Sequence, residues 1–202
     1  MASEGMVHVV DDDDAMRHSL LFLLECDGIE ARAYESALAF LEHLGSLERG
    51  CIVTDIRMPG MSGLELVGRL KEEGIADPVI VITGHGDVPL AVEAMKAGVA
   101  DFLEKPFNDQ QLLSAVRRAL DKSRDIASHE AERQEIAGRL AELSGREREV
   151  LDGLVDGKPN KIIAFDLGIS ARTVEIYRAN VMTKMKAKSL SELVRMTLAV
   201  RP

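Results

Sequence analysis

Four carboxylates in a row, Asp11 to Asp14, follow directly on the apolar run Val7-His8-Val9-Val10. Like charges at that spacing repel, and the end of a strand is a poor place to gather them unless a cation offsets the repulsion. Three further residues with chemical capacity end similar apolar runs. Asp55 closes CIVTD, Thr83 closes PVIVIT, and Lys105 follows ADFLE. If those runs are parallel strands, all of these groups converge at the carboxyl edge of one sheet, where α/β sheets place their chemistry. Asp11, Asp12 and Asp55 form an oxygen-only donor set suited to Mg²⁺, the expected cofactor, which takes one or two carboxylates and keeps several waters. Such a set also draws in a phosphoryl donor. Lys105 and Mg²⁺ would neutralise charge on the transferring group, and Thr83 could hydrogen-bond one of its oxygens. Asp55 is then the nucleophile and an acyl phosphate the product. Asp13 and Asp14 are read as helix N-terminal charges favoured by the dipole. His85, in the GHG loop, has the chemistry of a phosphorelay histidine but stands where a solvated loop residue is expected.

The elements that must position these groups can be read from periodicity. MVHVV, GIEARAY, CIVTDI, PVIVIT and ADFLE are short, rich in Val and Ile, and bounded by Gly, Pro or Asp, as strands are. Between and after them, AMRHSLLFLLEC, SALAFLEHL, GLELVGRLKEEG, VPLAVEAMKAG and QQLLSAVRRALDKSR repeat apolar residues at helical spacing. Strands alternating with helices predict an α/β domain, a doubly wound five-stranded parallel sheet covered on both faces, over residues 1–122. The near-continuous apolar runs of the third and fourth strands suit burial on both faces. Residues 123–140 turn polar, with Ala, Glu and Arg dominant, and are read as a helical linker. Ile126, Ile136, Leu140 and Leu143 keep a partial heptad there, a weak signal for coiled pairing. Residues 141–202 read as a small all-α domain. SGRE at Ser144–Glu147 and SLSE at Ser189–Glu192 are both capping-box patterns.

Composition separates the two halves. The chain of 202 residues carries net charge −9. Residues 1–122 hold 11 Lys and Arg against 22 Asp and Glu, a balance of −11, whereas residues 158–202 hold 9 against 3, a balance of +6. An acidic front and a basic end predict two domains with different partners, the basic one suited to a polyanion. No apolar stretch approaches the roughly 20 residues that span a bilayer. No signal peptide is read at the N-terminus, so a cytoplasmic protein with no membrane partner is expected. Cys26 and Cys51 give no disulfide framework and are read as two reduced, buried thiols.

The basic end has helix-turn-helix spacing in NKIIAFDLGISARTVEIYRA. Ala164 is small enough for a second helix to approach, and Gly168 permits the turn. Ile163, Leu167, Ile169, Val174 and Val181 should fill the core. At about 100° per residue, Val174, Val181 and Met185 share one side of the second helix. Arg172, Thr173, Glu175, Ile176, Ala179, Asn180 and Thr183 are assigned to the DNA-reading surface. Lys161, Arg178, Lys184, Lys186 and Lys188 suit phosphate contacts, which position a helix without carrying sequence information. Asn180 could read adenine, and Ile176 or Ala179 could touch a thymine methyl.

Taken together, VVDD, TDIRMPGMSG, ITGHGD and DFLEKPF resemble the signature set of a response-regulator receiver domain, CheY-like in fold. LSGREREVL and the helix-turn-helix segment are similar to a LuxR-type output domain. The combination resembles the NarL/FixJ family of two-component response regulators. By that resemblance Asp55 is the phosphoacceptor, with Thr83 and Lys105 beside it. Asp11 and Asp12 are the acidic pair, Asp12 being the more direct metal ligand, and Arg57 gives its backbone carbonyl to the metal. Thr83 and Phe102 are the switch pair, and the Lys105–Pro106 bond is cis. The implied partners are a sensor histidine kinase, promoter DNA, RNA polymerase and, on phosphorylation, a second copy of the chain through helix four, strand five and helix five. The implied function is activation of transcription rather than enzymatic turnover, although such receivers can hydrolyse their own acyl phosphate. A phosphatase of the haloacid dehalogenase type would need a carboxylate two residues after its nucleophile, where this chain has Arg57. A phosphoryl sink or shuttle, with an end that binds protein rather than DNA, is the alternative reading.

Overall fold

The computed structural model describes residues 5–84 and 88–201; His85 falls outside them. Five strands form one parallel sheet: β1 (Met6–Val10), β2 (Ala31–Tyr34), β3 (Gly50–Asp55), β4 (Val79–Thr83) and β5 (Asp101–Glu104). Their spatial order is β2-β1-β3-β4-β5, so the order reverses between β1 and β3, where a doubly wound sheet opens its binding crevice. The helices around the sheet are α1 (Asp14–Cys26), α2 (Ala37–Leu41), α3 (Gly63–Glu72) and α4 (Val88–Lys96), with α5 beginning at Asp109. Alternate residues of the central strands supply two separate cores. Val7, Val9, Cys51, Val53, Ile80 and Ile82 pack with Leu20 and Leu24 of α1 and with Leu112 and Val116 of α5. Val10, Ile52, Val79 and Val81 pack on the other face with Phe40, Leu66 and Leu70. A sheet covered on both faces, as the apolar runs require, is the outcome. Cys51 is buried, its thiol pushed up to about 12 mainly by burial; Cys26 is exposed, contrary to the expectation of two buried thiols.

The chain divides into two compact units between Ser128 and His129. Helix α5 does not stop at the first unit but runs on to Ala141. The second unit contains α6 (Gly145–Val155), α7 (Asn160–Leu167), α8 (Ala171–Lys184) and α9 (Leu190–Val200). Its core includes Val150, Leu151, Ile163, Val174, Val181, Met185 and Leu193, and also Ile136 and Leu143, with Leu140 packed against them. Three of the four apolar residues expected to support coiled pairing are thus taken into this core. The last three turns of α5 belong to the second unit, so a boundary at residue 141 cuts through it.

Helix starts follow capping chemistry. Ser144 accepts the Glu147 N–H while the Glu147 carboxylate accepts the Ser144 N–H, the reciprocal box expected from SGRE. Ser62 and Glu65 form a second full box at α3, in a stretch whose S-x-x-E spacing was equally visible. At Ser189 only half forms, because the Glu192 carboxylate accepts from the Lys188 N–H instead.

Candidate functional site

The register of the sheet brings the first group of candidate residues together. Val10 of β1 lies opposite Thr54 of β3, so Asp11 and Asp55 leave neighbouring strands at the same edge. Asp55 lies opposite Ile82 of β4, and Thr83 lies opposite Glu104 of β5, which puts Lys105 one residue past that edge. The Lys105 N–H donates to the Thr83 carbonyl at 2.7 Å, tying the last two strand ends together. The Lys105–Pro106 peptide is cis.

One ammonium serves two carboxylates. Lys105 Nζ donates to Asp55 Oδ1 at 2.9 Å and lies 3.4 Å from Asp11 Oδ2. The other Asp55 oxygen, Oδ2, accepts the Arg57 N–H at 2.6 Å. Asp11 is buried. Its Oδ1 accepts the Asp13 N–H at 2.8 Å, and Arg17 donates to its backbone carbonyl at 2.8 Å. Burial pushes the Asp11 carboxyl up, and the nearby Asp55 charge adds to this; the Asp13 N–H and Lys105 only partly oppose it. Burial alone would lower Lys105, but the hydrogen bond to Asp55 and the charges of both carboxylates outweigh it and hold the ammonium above its usual value. The cluster therefore keeps more negative charge than one lysine can neutralise.

Asp12 stands apart from the other expected ligands. It is exposed, and among the described residues no three His, Cys, Asp or Glu side chains stand close enough together to hold a metal ion. The structure brings together Asp11, Asp55 and Lys105, with Thr83 buried at the adjoining strand end, but leaves Asp12 outside the set. Asp13 is the N-cap of α1, accepting from the Ala15 and Met16 N–H groups, as expected of a helix N-terminal charge. Phe102 is half-buried against the second core. Gly63 is required by close approach: a Cβ there would lie 2.3 Å from the Asp55 carbonyl oxygen. Arg17, which supports Asp11, was missed; its signal was three-residue spacing from Asp14, with which it pairs at 2.8 Å.

The second candidate surface is α8. Ser170 caps it by accepting the Thr173 N–H, and Gly168 ends α7 in the left-handed conformation at φ +66°. Ala164, small and buried, allows α7 and α8 to pack closely. Val174, Val181 and Met185 are fully buried. Arg172, Glu175, Ile176, Ala179, Asn180 and Thr183 are exposed, and Thr173 and Arg178 are half-buried. This is the division that the 100° spacing predicted. Lys161, Lys186 and Lys188 are exposed.

Lys184 does not fit its assigned role as a free phosphate contact. Its ammonium donates to the Glu147 carboxylate at 2.7 Å and to the Glu142 carbonyl at 3.3 Å. Glu147 is buried. The Lys184 hydrogen bond, followed by the Ser144 N–H, holds its carboxyl below the usual carboxylate range.

Two family profiles match the two units. The response regulator receiver domain matches residues 7–117, and the bacterial regulatory proteins of the luxR family match residues 141–197. The chain belongs to the response regulators. It is 62% identical to the transcriptional regulatory protein FixJ of Azorhizobium caulinodans over 192 residues, covering 95% of this chain and 91% of that protein. It is similar to a crystal structure of full-length FixJ from B. japonicum, with 51% identity, a TM-score of 0.61 and 98% of each chain covered. A structure of the response regulator StyR matches at 40% identity with a TM-score of 0.83, covering 96% of this chain and 98% of that one. This response regulator is thus a FixJ-like transcription regulator, a receiver joined to a LuxR-type DNA-binding domain. A receiver implies a histidine kinase as partner, and a LuxR-type domain implies DNA. No helix among the described residues is long and apolar enough to cross a membrane.

Proposed function

We propose that Asp55 accepts the phosphoryl group from a sensor histidine kinase and that this controls promoter binding by α8. The observation that carries the reading is the sharing of Lys105 by Asp55 and the buried Asp11. An Asp55 oxygen attacks phosphorus, the bond to the donor imidazole breaks, and an acyl phosphate forms. The two hydrogen bonds to Asp55 engage about half of a carboxylate's acceptor sites, leaving lone pairs for attack. They also fix the group in one orientation. Lys105, already at the carboxylate, is placed to neutralise the arriving charge. The buried Thr83 hydroxyl would hydrogen-bond a phosphoryl oxygen, and Phe102 would move with it as the switch partner.

The donor set suits Mg²⁺, because Asp11 and Asp55 supply hard oxygens and carry charge that Lys105 leaves uncompensated. Asp11, Asp55 and the Arg57 carbonyl would hold the ion, and the exposed Asp12 would contribute on binding. When bound, Mg²⁺ offsets negative charge on the phosphoryl oxygens. Dimerisation of the phosphorylated receiver, with two output domains on a roughly symmetric site and recruitment of RNA polymerase, completes the reading.

Asp55→Asn tests it directly. With acetyl phosphate and Mg²⁺, intact-mass analysis should find one phosphoryl adduct on the native chain and none on the variant, with circular dichroism unchanged. An adduct of equal yield on the Asn variant places the nucleophile elsewhere.

A further inference from the structure

The pair between Lys184 and Glu147 joins three elements of the DNA-binding unit. Lys184 lies in the last turn of α8, the helix that carries the reading face. Glu147 is the third residue of α6 and already closes the capping box with Ser144. The second acceptor of Lys184, the Glu142 carbonyl, lies just past the C-terminal end of α5. A cation there also meets the negative end of the α5 dipole. Arg139 reinforces the junction, donating to the Met185 carbonyl, the C-cap of α8, at 3.1 Å. The end of the reading helix is thus held from two neighbours, each time through a charged side chain.

We infer that Lys184 is a positioning residue for DNA recognition: it fixes α8 against α5 and α6 instead of contacting phosphate. The inference rests on the reading of α8 as the DNA-facing helix. To reach a phosphate, Lys184 would have to leave a buried carboxylate uncompensated, and that penalty exceeds the gain from an exposed contact. The asymmetry of burial sharpens the case. Glu147 is 4% exposed, whereas the Lys184 side chain is 39% exposed. Removing the lysine strands a buried charge, while removing the glutamate charge leaves an ammonium that water can reach. The two single substitutions should therefore be unequal, and the double substitution should cost less than the lysine substitution alone.

The experiment uses the full chain as Lys184→Met, Glu147→Gln and the double variant, with two readouts. Hydrogen exchange of peptides covering residues 145–155 and 171–184 reports how firmly α6 and α8 are held. Anisotropy titration of a random-sequence duplex at four salt concentrations reports counterion release, which is about 0.9 in the log–log slope for each phosphate contact. The native chain is measured first, so that failure of DNA binding itself is recognised separately. The expected result is faster exchange in both peptides for Lys184→Met, a smaller increase for Glu147→Gln, partial recovery in the double variant, and an unchanged salt slope in Lys184→Met. A steeper slope in Glu147→Gln, from an ammonium freed to reach phosphate, also fits the inference, whereas a slope reduced by about one unit in Lys184→Met would overturn it. So would exchange in Lys184→Met equal to that of the native chain. If Lys184→Met does not fold, the exchange of Glu147→Gln decides alone, and native-like exchange in both peptides would overturn the inference.

Discussion

Each unit contains a lysine in contact with a buried carboxylate, at 2.9 Å for Lys105 and Asp55 and 2.7 Å for Lys184 and Glu147. The distances are nearly the same and the consequences are opposite. In the receiver one ammonium answers two carboxylates, and burial pushes Asp11 up. In the output unit one ammonium answers one carboxylate that also closes a helix cap, and Glu147 is held down. The first cluster is left with charge to spare, which on the proposed reading a cation offsets when the phosphoryl group arrives. The second is balanced and holds helices in place. Whether a buried ion pair marks a reactive site or a structural joint depends here on what remains after pairing, not on the pair itself.

The largest effect should come from cutting the comparison at the wrong place. If the output unit is self-contained from His129, a fragment of residues 129–202 should fold cooperatively. One of residues 141–202 lacks Ile136, which is 4% exposed in the core, along with Leu140 and the Arg139 bond to Met185. Loss of Ile136 alone should cost about 2–4 kcal/mol. Urea unfolding of both fragments, and of Ile136→Ala in the longer one, checks this. Equal stability of the two fragments would return the end of α5 to the role of a linker.

The contrast in charge balance should appear as opposite signs. The folded state of the receiver disfavours ionised Asp11, so Asp11→Asn should raise the melting temperature at pH 7. That advantage should shrink as pH falls through the raised folded value towards the ordinary 3.8, because native Asp11 takes up its proton earlier than it would unfolded. Glu147 is the reverse. Its contribution is fully present above the ordinary 4.5 and is lost as pH falls through the lowered folded value. Glu147→Gln should therefore lower the melting temperature at pH 7, and the difference from the native chain should vanish in acid. Subtracting native from variant at each pH is necessary because His8 also titrates. Burial lowers it, so the folded chain keeps His8 neutral below the ordinary 6.5 and loses stability as pH falls from there through the lowered value. Thermal melts that move in the same direction for both variants would break the comparison.

What the sequence made legible follows the same division. The strand runs, the carboxyl-edge residues Asp55, Thr83 and Lys105, and the apolar side of α8 could be read because each depends on local period and on one topological rule. The exposure of Asp12 could not, since adjacent aspartates look alike until the strand-to-helix turn sends one inward and makes Asp13 the cap. The partner of Lys184 lies 37 residues away, and nothing local distinguishes a lysine that will find a buried glutamate from one left in solvent. The partial heptad of the linker was seen, but its destination was not. Ile136 and Leu143 serve equally well for a second chain or for a neighbouring helix, and periodicity does not separate the two.

The smallest expected effect on stability tests the comparison at its other limit, an ion pair that neither reacts nor holds anything. Arg172 and Glu175 approach to 3.4 Å on the exposed side of α8, with side chains 83% and 55% exposed. Solvent screens both groups, and holding two long side chains in one geometry offsets most of the attraction, so such a pair contributes at most about 0.5 kcal/mol. Glu175→Gln should leave the urea midpoint nearly unchanged. Under the proposed reading, the carboxylate acts in DNA recognition and not in the fold. It lies beside Ile176, Ala179 and Asn180 on the exposed side of α8 that is proposed to read DNA, and a carboxylate in a major groove accepts from the cytosine amino group. A glutamine retains an acceptor oxygen but loses the charge and adds a donor, so the variant should keep overall affinity within a few-fold and relax or change preference at one base position. Selection of binding sites from a random duplex pool by the native and variant chains measures this. Identical selected motifs would leave Glu175 as a solvated surface charge. A changed base, with stability intact, would give this pair a third character: a charge kept unburied and lightly held so that DNA can take it.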